Sequence, residues 1–308
     1  MGLVSDVRLM ASGWRWTRRS LTPHSAEPWL PPYEPRPFRT AWARTPPARV
    51  ARHGIQRYGL RPLVWTETRP RVEGLDRLES LGSPVVFVAN HASHLDAPLV
   101  LCSLPPTWAA RTAVGAAADY FFDAGWRAAA TALAFNAFPV ERHGGGAQGR
   151  TAVELMRDGW SLLLFPEGTR SADGWMSGFR QGTARLCVTL GVPAVPVAIR
   201  GSYAAMPRGR GWPRPGRLPV SVRFGSPVRP EPDEDVAAYS ERLRHDLTRL
   251  WAEDDTTWWD SLRRETTGSQ RGPDGPEGPR WRRVWEATRP IEREPGTRAW
   301  RSGDRLVR

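Results

Sequence analysis

The apolar and polar positions along this chain fall into three textures. Up to about residue 60 no period is sustained: Arg, Pro and Trp mix irregularly, with Trp14, Trp16, Trp29 and Trp42 unevenly spaced. From about residue 62 short apolar, β-branched runs alternate with stretches of helical spacing. Pro84-Val85-Val86-Phe87-Val88-Ala89, Ser161-Leu162-Leu163-Leu164-Phe165 and Ala194-Val195-Pro196-Val197-Ala198-Ile199 read as buried strands. Val220 to Phe224 alternates, which predicts a half-exposed strand. Thr151 to Gly159 and Gln181 to Leu190 have helical spacing, and Gly191 stops the second. Val236, Tyr239, Leu243, Leu247, Leu250 and Trp251 then recur on one helical face, with Glu241, Arg242 and Arg244 turned away. Beyond about residue 265 Gly, Pro, Arg and Trp return.

Strand and helix in alternation predict an α/β fold: a single domain with a central mixed, largely parallel sheet flanked by helices, plus irregular N- and C-terminal extensions. The expected division is an Arg/Pro/Trp-rich extension over 1–60, the domain over 61–262, and a poorly ordered tail over 263–308. Pro31-Pro32, Pro35, Pro37 and Pro46-Pro47 argue against long helices in the extension, which reads as an arm or a membrane-surface segment. A chain of 308 residues is ample for a buried core.

Composition narrows the partners. A formal net charge of +12 calls for an anionic one, whether nucleic acid, lipid headgroup or phosphorylated metabolite. Every basic side chain except histidine is arginine, with no lysine anywhere. Together with abundant Ala, Gly, Pro and Trp this matches a GC-rich coding bias, so a single arginine carries meaning only inside a motif. Cys102 and Cys187 sit in apolar runs without metal-like spacing, so neither a disulfide framework nor a metal site is expected, and a reducing cytoplasm is the default. No basic start leads into a sustained apolar run, so no signal peptide is expected. Ala128 to Val140 is the nearest approach to a membrane span and is too short.

Two runs carry chemistry. Asn90-His91-Ala92-Ser93-His94-Leu95-Asp96 directly follows a predicted strand, and strand ends in open α/β sheets are where ligands bind. A histidine there can take the proton of an attacking hydroxyl while a carboxylate fixes its tautomer and stabilises the imidazolium. His91 and Asp96 are five residues apart, so they meet only if a turn intervenes. Phe165-Pro166-Glu167-Gly168-Thr169-Arg170-Ser171 follows another predicted strand, and its Pro and Gly force a tight turn. That turn is expected to expose Glu167, the Gly168 amide and Arg170, and an arginine beside backbone N–H groups suits a phosphate.

Together these runs resemble the glycerolipid acyltransferase family, which carries Asn-His-x4-Asp after one strand and Phe-Pro-Glu-Gly-Thr after a later one. Here Glu167 follows His91 by 76 positions. Asn136-Ala137-Phe138-Pro139-Val140-Glu141-Arg142 resembles the family's intermediate motif, with Asn136 where glycine is usual; asparagine tolerates the left-handed backbone such a turn needs. Val192-Pro193-Ala194-Val195-Pro196-Val197 resembles its last, apolar block. The resemblance covers roughly residues 62 to 228.

The resemblance implies that His91 is the general base and Asp96 its orienting partner. Arg142 and Arg170 would hold the acceptor phosphate, with Glu167, Gly168 and Thr169 shaping that site. The implied reaction is direct attack of a lysophospholipid hydroxyl, that of lysophosphatidate first, on the thioester of acyl-CoA or acyl-carrier protein, without a cofactor. His94 is read as a spare side chain and His143 as a loop histidine. The implied setting is the cytoplasmic inner face of the cell membrane, bound peripherally to its anionic surface. A glycolipid, polyol or aminolipid acceptor is the alternative. A non-catalytic basic protein is the contrasting class, disfavoured because no nucleic-acid-binding signature is present.

Overall fold

A computed structural model of the chain describes residues 38–140, 146–254, 258–267, 272–289 and 291. Seven strands form one sheet: β1 (Thr68–Glu73), β2 (Val86–Ala89), β3 (Thr112–Ala117), β4 (Ala137–Val140), β5 (Ser161–Leu164), β6 (Ala194–Arg200) and β7 (Leu218–Phe224). Their order is β1-β7-β6-β2-β5-β3-β4. Five strands, β6 to β4 in that order, are mutually parallel, and β7 runs antiparallel to β6 with β1 parallel to β7. The longer helices are α1 (Pro46–Gly54), α2 (Arg61–Glu67), α3 (Asp96–Ser103), α4 (Gly125–Phe135), α5 (Gly146–Arg157), α6 (Gly182–Leu190), α7 (Val236–Ala252), α8 (Trp258–Thr266) and α9 (Arg280–Ala287).

The alternation of β2 explains the layers. Phe87 and Ala89 face one core with Val64 of α2 and Leu99, Val100 and Leu101 of α3. Val86 and Val88 face the other with Leu155 and Met156 of α5, Leu186 and Cys187 of α6, and Tyr239, Leu243 and Leu247 of α7. A strand buried on both faces cannot alternate apolar with polar, which is why β2, β5 and β6 are continuous apolar runs. Phe87 is fully buried, edge-on to Trp108 and Phe224 at 5.8 and 6.3 Å. The mixed, largely parallel sheet flanked by helices is the fold expected from sequence.

Several expectations change. β7 is an interior strand, not a half-exposed one: it pairs on both sides, and Val220, Ser221, Val222 and Phe224 are buried. Within the extension expected to be irregular, α1 begins at Pro46-Pro47 and runs through a π-helical turn, Ile55–Leu60, into α2. Proline at the first turn of a helix loses no intrahelical hydrogen bond, so the pair starts a helix here and does not break one. Arg52 and Gln56 pin this run to α4 by donating to the carbonyls of Leu133 and Ala134. In the tail, α9 is a formed helix. Trp14, Trp16, Trp29 and Trp300 lie outside the described residues. Cys102 and Cys187 are buried free thiols. Among the described residues no helix is long and apolar enough to cross a membrane.

Candidate active site

Two parallel neighbours deliver the two motifs to one place. β2 and β5 pair in register, Val86 with Leu162 and Val88 with Leu164, so the chain leaves both at the same edge of the sheet. Asn90 extends the pattern beyond β2: its side-chain amide donates to the Ile199 carbonyl and accepts from the Ile199 N–H, both at 2.8 Å. That reciprocal pair fixes the start of the His91 turn against β6.

The turn folds the motif back on itself. Asp96 opens α3, is fully buried, and its Oδ2 accepts from the Ala92 and Ser93 amides, each at 2.7 Å. The same oxygen lies 2.8 Å from His91 Nδ1. The two N–H groups hold the carboxylate in place, and its bond to Nδ1 leaves Nε2 as the ring nitrogen open to a substrate proton. The turn needed to bring His91 and Asp96 together is therefore present. Ser93 secures it from behind, donating to the Met206 carbonyl at 2.7 Å.

Glu167 differs from its expected role. The Phe165–Gly168 turn forms, with Gly168 donating to the Phe165 carbonyl at 3.0 Å and Gly168 left-handed at φ 71°. Yet Glu167 is buried, and both its oxygens serve the protein. Oε1 accepts from the His91 amide at 2.7 Å; Oε2 accepts from the Ser177 amide and hydroxyl at 2.9 and 2.7 Å. Glu167 thus holds the backbone of His91, and the expectation of an exposed substrate contact gives way to a positioning role. Burial pushes its carboxyl up to about 7, against the three hydrogen bonds that favour the charged form. From the other side, Ser171 donates its amide to the His91 carbonyl at 2.8 Å, and the Phe165 ring stacks on the imidazole at 4.1 Å.

A cavity of about 710 Å³ opens from His91. Its wall includes His94, Tyr120, Gly168, Thr169, Arg170 and Arg180, while Val114, Phe121, Phe135, Phe138, Leu164 and Leu186 make much of it apolar. Arg180 has no motif to announce it. It is admitted by Gly168, because a Cβ built there would come within 2.6 Å of Arg180 Nε. His94, read as spare, instead lines the cavity and stacks on Tyr120 at 5.3 Å. Burial, with Arg170 nearby, pushes its pKa down to about 4, so it is a neutral imidazole at pH 7. Asn136 adopts φ 50°, ψ 37°, the left-handed conformation expected of it at the end of α4. Arg142 and His143 lie outside the described residues. Among the described residues no group of three His, Cys, Asp or Glu side chains is arranged for a metal ion.

The loop after the Glu167 turn is braced by the C-terminal part of the chain. Arg283 of α9 pairs with Asp173 at 2.5 Å and donates to the carbonyls of Pro276 and Asp274 at 3.1 and 2.8 Å. The Trp175 indole donates to the Arg283 carbonyl at 2.9 Å, and the Met176 amide donates to Pro273 at 2.9 Å. Ser171 and Ser177, which touch His91 and Glu167, are the two ends of that braced loop.

The α/β sheet thus sets a histidine–aspartate pair beside a largely apolar cavity, with Arg170 and Arg180 in the same wall. The Acyltransferase family model matches residues 69–200. The chloroplastic 1-acyl-sn-glycerol-3-phosphate acyltransferase of Brassica napus is 32% identical over 141 residues, 45% of this chain and 39% of that protein. The mouse 1-acyl-sn-glycerol-3-phosphate acyltransferase alpha is 32% identical over 178 residues, 55% of this chain and 59% of that one. The crystal structure of the 1-acyl-sn-glycerophosphate acyltransferase PlsC of Thermotoga maritima superposes with a TM-score of 0.53 at 26% identity, covering 66% of this chain and 79% of that one. Over residues 69–200 the chain is similar to the acyltransferase family. It spans only about two fifths of the first plant relatives, 39% and 38% of their lengths.

Proposed function

We propose that the protein transfers a fatty acyl group from a thioester donor, acyl-CoA or acyl-carrier protein, to the free hydroxyl of lysophosphatidate, yielding phosphatidate. The observation that carries this reading is His91, held at Nδ1 by Asp96 and at its amide by Glu167, in the wall of a largely apolar cavity. The names of the relatives support lysophosphatidate as acceptor.

His91 Nε2 takes the hydroxyl proton as the oxygen attacks the thioester carbonyl. Imidazolium character at His91 is balanced by the buried Asp96 charge. The tetrahedral adduct expels the thiolate, which takes the proton from Nε2; an ester bond has formed and a thioester bond has broken. Two cysteines play no part, since Cys102 and Cys187 are buried with thiols pushed up to about 11 and 12. The acyl chain occupies the apolar depth of the cavity. Arg170, Arg180 and Arg142 receive the acceptor phosphate, Gly168 and Thr169 form the wall between, and the net charge of +12 favours work at an anionic cytoplasmic membrane face.

The test is acyl transfer from a labelled acyl-CoA to lysophosphatidate by purified protein. His91→Ala should lower kcat/KM by about 10²–10⁴-fold. Near parental activity in that variant would remove His91 as the base, and transfer only to unphosphorylated acceptors would move the reading to another lipid.

A further inference from the structure

We propose that the outer face of α9 is a docking surface for an anionic lipid membrane, seating the cavity mouth on the bilayer. What the mouth takes up rests on the acyltransferase reading above; where the lipid lies rests on the helix.

The helix lies outside the matched domain at 69–200 and has two unlike faces. The inner face is spent on the protein: Arg283 reaches Asp173, and Ala287 lies against Gly174, where a Cβ would come within 2.6 Å of it. The outer face carries Trp281 and Trp285, one helical turn apart and 72% and 57% exposed. Arg280, Arg282 and Arg289 are exposed around them, and the Arg289 guanidinium sits 5.3 Å over the Trp285 ring. Glu286 is the one acid of the helix and lies 3.4 Å from Arg289. Indoles flanked by arginines suit the headgroup layer: the ring enters the apolar boundary while the guanidinium keeps its charge among phosphates.

Position makes the face useful. Arg280 donates to the Ala172 carbonyl at 3.5 Å, two residues beyond Arg170 in the cavity wall. Trp212, a third exposed indole at 55%, directly follows Gly211, which also lines the cavity. Arg280 and Trp212 thus tie the exposed face of α9 and a further exposed indole to segments next to the cavity wall. Single-stranded nucleic acid also stacks on Trp and pairs with Arg. The largely apolar lining of the cavity, with Val114, Val140, Leu164 and Leu186, suits a hydrocarbon chain, so lipid is the occupant proposed.

The experiment is co-sedimentation of the full chain with vesicles of phosphatidylcholine, alone or mixed with phosphatidylglycerol. The parent should partition to the mixed vesicles and release as salt is raised. Trp281→Ser/Trp285→Ser should bind them about tenfold more weakly. Arg282→Gln/Arg289→Gln should lose the preference for phosphatidylglycerol. Both pairs are exposed, so unchanged thermal unfolding is expected to accompany the loss. Turnover of a short-chain lysophosphatidate kept below its micelle concentration should be the same in parent and tryptophan variant. If no acyl transfer is found at all, vesicle binding is still read, so the two ideas fail separately. Undiminished binding by the tryptophan variant would overturn the proposal and leave lipid contact to other exposed apolar side chains, such as Val50, Tyr58 and Leu63 of the N-terminal helices. Binding to single-stranded RNA in preference to vesicles would overturn it as well.

Discussion

Asp96 and Glu167 are both buried carboxylates bonded to the His91 residue, one at the ring and one at the amide. Asp96 gathers three donors on one oxygen at a helix N-terminus, whereas Glu167 spreads three donors over two oxygens deep behind the turn. Burial raises the Glu167 carboxyl from 4.5 to about 7. Between those values the folded state binds more protons than the unfolded chain, so the stabilisation is complete below about 4.5 and declines as pH rises through about 7. Glu167→Gln removes that titration while leaving one acceptor for His91. Denaturant midpoints measured from pH 5 to 8 should therefore fall less steeply in the variant than in the parent, on top of a pH-independent offset. Parallel midpoint curves would show that Glu167 does not titrate in this range.

At the scale of elements, what could be read in the sequence depended on how each element is buried. β2, β5 and β6 are covered on both faces, and their unbroken apolar runs announce them. β1 did not announce itself: Thr-Arg-Pro-Arg-Val-Glu is charged and holds a proline, tolerable only because β1 is an edge strand. β3 is built largely of Ala and Gly, too little apolar mass to stand out. The His91–Asp96 pair was legible because both residues sit in one short turn. Ser177 and Arg180 were not, since their partners, Glu167 and Gly168, are reached through a loop without a pattern. α9 was missed for a related reason: its arginines and tryptophans read as tail, and its order depends on tertiary bonds to Asp173 and Trp175. Those bonds give the helix a consequence at the site. Arg283→Ala should loosen the 171–177 loop and lower kcat by roughly 10–10²-fold, with acceptor KM changing less. Arg283→Lys restores the charge but not the two carbonyl contacts and should recover only part of the rate. A change confined to KM would mean the loop serves binding and not the placement of His91.

The whole molecule is arranged so that chain order and spatial order disagree where it matters. β2 and β5 are neighbours, although α3, β3, α4, β4 and α5 come between them in sequence. Parallel strands require such crossovers, and each crossover covers a face of the sheet. β3, α4 and β4 supply part of the cavity's apolar wall, with Val114, Phe135, Phe138 and Val140. Gly115 on β3 keeps part of the cavity open: a Cβ there would come within 2.7 Å of Leu164 Cδ2 and 3.1 Å of Val140 Cγ2. Both neighbours are side-chain ends that can shift, and they can shift only into the cavity or the core around it. Gly115→Val should therefore fold, since a β-branched residue suits a strand, while shortening the space available to an acyl chain. A hydrophobic pocket discriminates by about 1–3 kcal/mol per methylene, so kcat/KM for a long-chain donor should fall by about tenfold or more relative to a short-chain donor. The comparison is a donor series of increasing chain length, assayed with one acceptor. Equal loss across the series would place the acyl chain elsewhere, because only a chain that reaches past Gly115 can sense a side chain put there.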